Sequence, residues 1–339
     1  MTTSGFFYQR DASARASWRL AVLMGSNSRT YKFALGAALL DVAGRGQREI
    51  PLAEFATPYA WELARRIEDA PQAPEGVALG DSDFLAIARK ERAQTLAAGQ
   101  PTDRLLAAAV RSMPAMVMRK FHNLRGGSQV PHLFFELTGG PRERVVRLTH
   151  DTLTVARSEQ GAGLRAELEA RWSIVESSFA AGVGRSLIEE GVAVDWDSLR
   201  LTDKKRRRSV AGVADALIGF QHGRCLICDG VVVPGEAVAV DHVFPFSLME
   251  RQRSVGGWAG PDLDALWNLA PAHATCNGVK SDRTPRAVEV CRLALRNEAI
   301  ADSPHPLKKT LQLSLQQALG GRRRTSWPEF LRAVGDLAI

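Results

Sequence analysis

The sequence predicts an α+β protein in two parts: a mainly helical N-terminal region with a small β hairpin or sheet, and a C-terminal α+β module built around a structural metal. Three observations predict it. Apolar residues recur at helical spacing through most of the chain up to residue 121, β-branched and aromatic runs flank a Gly-Gly-Pro at 139–141, and three of the four cysteines fall within one 52-residue stretch.

Residues 12–24 and 30–43 read as helices. In the second, Tyr31, Leu35, Leu39 and Val42 share one face, and Ser28 is a plausible N-cap. The Pro- and Gly-bearing stretch at 69–83 breaks the pattern, which resumes over 83–98 and 103–121. "HLFFELTGGPRERVVRLTHDTLTVA" then reads as a hairpin or small sheet over 132–156, and helices resume over 161–190. The charged segment "DWDSLRLTDKKRRRS" separates this part from the C-terminal third of the chain. The division expected is therefore a helical domain over 1–200, a metal-bearing domain over 201–300 and a basic helical extension over 301–339.

Composition narrows the function classes. The chain has 339 residues, 45% hydrophobic and 24% charged, and no apolar run approaches the ~20 residues of a membrane helix. Arg10, Arg15 and Arg19 precede "LAVLMG", a run shorter than the ~7–15 residue core of a signal peptide and followed by no small-residue cleavage site. The reading is a cytoplasmic protein without membrane association. A net charge of +7 fits a polyanionic partner, and the charge is clustered: Lys204, Lys205, Arg206, Arg207 and Arg208 are contiguous, Arg322 to Arg324 form a second run, and Lys280, Arg283 and Arg286 recur every three residues. Such runs also occur on plain solvated faces. No G-x-x-x-x-G-K, H-E-x-x-H or G-x-S-x-G motif precedes residue 200.

The chemistry lies between 221 and 283. Cys225 and Cys228 form C-x-x-C before Asp-Gly, a pattern that alone is open to a zinc knuckle, a redox dithiol or two unrelated thiols. His273 and Cys276 repeat the same spacing. Two such pairs supply the four soft donors of a tetrahedral zinc, and a closed set of four protein ligands has a structural task. The uneven placement of cysteines argues against a disulfide framework. Cys291 falls beside Val288 and Leu295 in a helical pattern and reads as a core thiol. Between the pairs, alternation over 237–241 suggests a strand ending at Asp241 and His242, stopped by Pro245. There an adjacent carboxylate and imidazole can approach one site as hard-metal ligand and base.

Cys225-x-x-Cys228, Asp241-His242-Val243-Phe244-Pro245, Trp267-Asn268-Leu269 and His273-x-x-Cys276-Asn277-x-x-Lys280 stand in an order that resembles the HNH endonucleases, the zinc-bearing branch of the ββα-metal (His-Me finger) nucleases. The resemblance covers about residues 221–285; "NSRTYKFALGAALLD" adds a loose likeness to regions preceding HNH domains in bacterial restriction and phage-defence nucleases. It implies that His242 is the general base and that Asp241 and Asn277 bind a catalytic Mg2+ or Mn2+. It further implies that Asn268 holds the loop and orients the histidine, and that Lys280 contacts phosphate. The basic clusters at 204–208, 280–286 (Arg283 among them) and 322–324 would, by their charge, bind backbone phosphates of DNA. The implied partner is DNA, with other proteins of a defence system beside it. His273 stands where the family commonly has cysteine, and 245–267 is long enough for an insertion overhanging the site. The rival reading is a zinc-stabilised DNA-binding or regulatory protein without catalysis. A zinc deaminase would need H-x-E with P-C-x-x-C, which the chain lacks.

Overall fold

The computed structural model describes residues 7, 9–25, 28–74, 76–124, 127–141, 143–158, 160–180, 192–195, 197–203, 209–249, 258, 260–318 and 326–338. The chain divides by internal contact into two units, 12–184 and 1–11 with 185–339. Both are mixed α+β, mostly helical with small antiparallel sheets.

In the first unit, α1 (Ala14–Arg19) is capped by Ser13, whose hydroxyl accepts from the Ala16 amide, and runs into a π turn over Leu20–Met24. Helix α2 (Tyr31–Gly44) forms the centre. Apart from Asp41 and Gly44 near its C-terminus, its residues are buried around the whole helix rather than along the single Tyr31/Leu35/Leu39/Val42 face. Its N-cap position is Thr30, not Ser28, and the Thr30 hydroxyl turns to Gln72 instead of capping the helix. Helices α3 (Leu52–Arg66), α4 (Phe84–Ala98) and α5 (Asp103–Ser112) follow; Asp83 and Thr102 cap the last two. Residues 52–66 carried no expectation from the sequence. Helix α5 gives way after Ser112 to a π turn over Pro114–Met118, opened by Pro114, and the helical run continues to residue 120, close to the 121 that apolar spacing suggests.

The hairpin lies where Gly-Gly-Pro placed it, but it is shorter. Strands β1 (Glu49–Pro51), β2 (Phe135–Thr138) and β3 (Val145–Leu148) form an antiparallel sheet in the order β1-β3-β2. The residues after β3 are helix, not strand. Thr149 accepts the Thr152 amide and starts α6 (His150–Arg157), so a local cap overrides the β-branched composition. Helix α7 (Gly161–Phe179) completes the unit, and the remainder of the expected 161–190 helix falls mostly outside the described residues. Trp18 stands edge-on to Phe134 at 5.0 Å, and Phe33 stacks on Trp172 in the core.

The second unit opens with a sheet of β4 (Val192–Asp195), β5 (Arg200–Asp203) and β6 (Ser209–Gly212), where the sequence suggested only a charged separator. Helix α8 (Val213–Ile218) leads to the C-x-x-C turn. Strands β7 (Val238–His242) and β8 (Leu269–His273) pair antiparallel, with Asp241 opposite Ala270 and His242 opposite Leu269. Helix α9 (Ala274–Lys280) leaves β8 directly. Helices α10 (Ala287–Asp302), α11 (Leu307–Ala318) and α12 (Trp327–Leu337) pack behind them. Among the described residues no helix is long and apolar enough to cross a membrane.

Helix α10 corrects one expectation. Its inward face holds Glu289, Leu293, Arg296, Asn297 and Ile300, so Cys291, Val288 and Leu295 point outward and Cys291 is an exposed free thiol. The inward polar groups are engaged in part, with Arg296 Nε and Asn297 Oδ1 left without a partner among the described residues. Arg296 donates to the carbonyls of Leu269 and Trp267, and Asn297 donates to the Trp267 carbonyl, tying α10 to the start of β8.

Candidate metal centre and the adjoining polar cluster

The C-x-x-C segment folds into a knuckle because its backbone closes on itself. The Cys225 amide donates to the Gly230 carbonyl and the Asp229 amide to the Cys225 carbonyl, with Asp229 in the left-handed region at φ 63°. Gly230 is needed for close approach: a Cβ there would lie 3.2 Å from Cys228 Sγ and 3.3 Å from the His273 ring. Arg292 from α10 donates to the Leu226 and Ile227 carbonyls, fixing the knuckle from outside.

Register then brings the second pair to it. His273 ends β8 and Cys276 lies in the first turn of α9, and the ligand atoms of Cys225, Cys228, His273 and Cys276 all lie within 4.8 Å of one another. A tetrahedral zinc with Zn–S of about 2.3 Å and Zn–N of about 2.0 Å sets donors about 3.5–3.8 Å apart. Cys228 and Cys276 Sγ lie 3.3 and 3.7 Å from His273 Nδ1. The ring orientation gives an independent check. His273 Nε2 lies 3.2 Å from the Val231 carbonyl, which can only accept, so Nε2 carries the proton and Nδ1 presents its lone pair to the sulfurs. Glu236 Oε2 lies 3.4 Å from the same Nε2. Desolvation and the neighbouring thiols push Cys276 up to about 11, and burial pushes Cys225 up. Thiols crowded without a cation resist ionising together; a dication at their centre reverses that preference. The four residues form a Cys3His cluster that fits a structural zinc.

At the opposite end of the β7–β8 ladder, β7 carries Asp241 and His242. Asp241 is buried, and Lys280, itself 2% exposed, reaches back from the end of α9 to donate to Asp241 Oδ1 at 3.0 Å and to the His242 carbonyl at 2.9 Å. This placement corrects the expected phosphate contact: the Lys280 ammonium is enclosed and spent on two internal acceptors. Burial raises the Asp241 carboxyl above its ordinary range against the pull of Lys280. Its other oxygen, Oδ2, is buried and has no hydrogen-bond partner. Arg283, also expected at DNA, forms a two-pronged pair with Glu289 at 2.8 and 2.5 Å, which closes the start of α10.

Asn268 is fully buried, and both ends of its side-chain amide are engaged. Its Oδ1 accepts the Phe244 amide at 2.9 Å, and its Nδ2 donates to the Phe244 and Leu263 carbonyls at 2.8 Å each. It therefore clamps the turn that comes after His242. The His242 ring is 22% exposed and its Nε2 lies 2.8 Å from Asp264 Oδ1. The sequence alone did not single out Asp264. Its one signal there was the Asp-x-Asp just before Trp267-Asn268, whose partner lies 22 residues away.

Asn277 sits half-buried on α9, between the zinc ligand Cys276 and the helix end. Lys204 to Arg208 and Arg322 to Arg324 lie outside the described residues, as do 250–257 and 259 of the expected insertion. A hard cation is chemically compatible with Asp241: a buried carboxylate oxygen without a partner is a site that such an ion prefers. No protein family, curated protein or solved structure matches the chain significantly.

Proposed function

We propose that the C-terminal unit is a metal-dependent DNA endonuclease of the HNH type, with the zinc as its structural brace. The observation that carries this reading is an accessible imidazole, His242, following a buried carboxylate, Asp241, at the end of a strand whose antiparallel partner leads into the zinc-ligand helix. The order strand, strand, helix and the Asn268 clamp behind the imidazole agree with the resemblance in the sequence. A regulator needs the zinc donors but has no chemical use for an imidazole held in this way.

In the proposed reaction a water attacks the phosphorus of a phosphodiester while neutral His242 takes its proton. The bond from phosphorus to the 3′ oxygen breaks, and that oxygen is then protonated from solvent. Asp241 and Asn277 would hold Mg2+ or Mn2+, which when bound supplies charge stabilisation at the scissile phosphate. Zinc, enclosed by four protein donors, binds no substrate. The 204–208 and 322–324 runs would contact backbone phosphates, giving salt-dependent binding with little base information. The helical unit would select the target or a partner protein, and the setting would be bacterial defence against foreign DNA.

One observation favours the non-catalytic alternative: Lys280 already neutralises Asp241 from within. Supercoiled plasmid incubated with the full chain and with His242→Ala, each with and without magnesium, separates the two. Cleavage by the wild type that needs magnesium and is lost in His242→Ala supports the nuclease; binding to the plasmid without cleavage by either supports the regulator.

A further inference from the structure

Resting on the nuclease reading, in which Asn268 already holds the loop behind the histidine, we infer that Asp264 is a positioning residue for His242. A carboxylate accepts but does not donate, so at 2.8 Å the proton of the pair resides on His242 Nε2. That fixes the tautomer in which Nδ1 is the basic nitrogen, the state a general base requires. The ring is also held in rotation, as a carboxylate behind an imidazole does in other hydrolases.

The backbone around Asp264 is built for this task. Its own amide donates to Asp262 Oδ1 at 2.9 Å, and the Trp267 indole donates to the Asp262 carbonyl at 3.0 Å. Trp267 is itself buried against Phe244 and Phe330. Asn268 then bonds Leu263, one residue before Asp264, and Phe244, two residues after His242. One buried amide thus ties together the segment bearing the imidazole and the segment bearing its carboxylate. Among the described residues, the charged groups about this strand end include Asp241 with Lys280 and, beyond them, Arg283 with Glu289, each paired with the other. The Asp264 side chain is 34% exposed, and truncating a side chain this exposed is expected to cost little stability.

The test uses the full-length chain as Asp264→Ala, with zinc content and melting temperature recorded alongside. Imidazole nitrogen NMR of the wild type is expected to show His242 protonated at Nε2, with that ring proton protected from exchange; Asp264→Ala is expected to lose the protection while keeping its zinc. Plasmid cleavage should fall in kcat by roughly 10- to 1000-fold at little change in KM, since a positioning residue acts on the transition state rather than on DNA binding. Asp264→Ala and Asn268→Ala should be markedly less than additive in kcat because both disturb one arrangement. A wild-type ring protonated at Nδ1, or unchanged ring protection and kcat in Asp264→Ala, overturns the inference. If the Nε2 proton is present and protected but the wild type cuts no DNA, the nuclease reading fails while the ring geometry stands.

Discussion

Two polar clusters lie on the same pair of strands and solve the problem of crowding polar side chains in opposite ways. At the knuckle, three cysteines and a histidine face one another within 4.8 Å, and the cluster contains no internal cation. At the far end of β7, Asp241 has Lys280, His242 has Asp264, and Asn268 has three backbone partners. The first cluster therefore depends on an external ion, whereas the second stands as a hydrogen-bonded network before any ion arrives. A metal that braces and a metal that would take part in chemistry thus place different demands on the chain around them.

The largest effect should come from removing the brace. Structural zinc sites in small domains contribute about 10–16 kcal/mol of apparent binding energy, which is folding energy where the apo site is not preformed. Chelation, or Cys228→Ser, is expected to release the zinc and melt the 185–339 part of the chain while the helices of 12–184 persist, followed by circular dichroism against metal content. Retention of full stability with no zinc would erase the contrast between the clusters.

A smaller effect is expected at the second cluster. Lys280→Met leaves the buried Asp241 without its partner, and such half-removed pairs cost about 3–5 kcal/mol. Adding Asp241→Leu should recover most of that loss in a denaturant titration, because replacing both charges removes the penalty along with the pair. A double variant as unstable as Lys280→Met alone would mean that Lys280 matters through its bond to the His242 carbonyl instead.

What could be read in the sequence depended on how local each signal is. The zinc donors were legible because ligand spacing is short and chemically narrow: C-x-x-C and H-x-x-C need little knowledge of the fold between them. Strand β7 ending at Asp241-His242 was legible from alternation and Pro245. The phosphate contact of Lys280 was an inference from the resemblance, whereas only the turn of α9 shows its stem folding inward onto Asp241. Asp264 was invisible because its partner is distant in sequence and the intervening residues have no fixed spacing. Residues 149–157 misled through composition, since threonines that favour strands also cap helices. Cys291 was assigned to a core because the polar residues Arg296 and Asn297 were not expected to occupy the buried face of α10.

Cys225, Cys228, His273 and Cys276 are expected to hold one zinc in a closed site separate from the proposed His242 chemistry. X-ray absorption at the zinc edge of the purified full-length chain tests it most directly. The account predicts one zinc per chain with three sulfurs at about 2.3 Å and one nitrogen at about 2.0–2.1 Å, unchanged in His242→Ala. A shell with oxygen donors, fewer than three sulfurs, or a zinc signal altered by His242→Ala would contradict it.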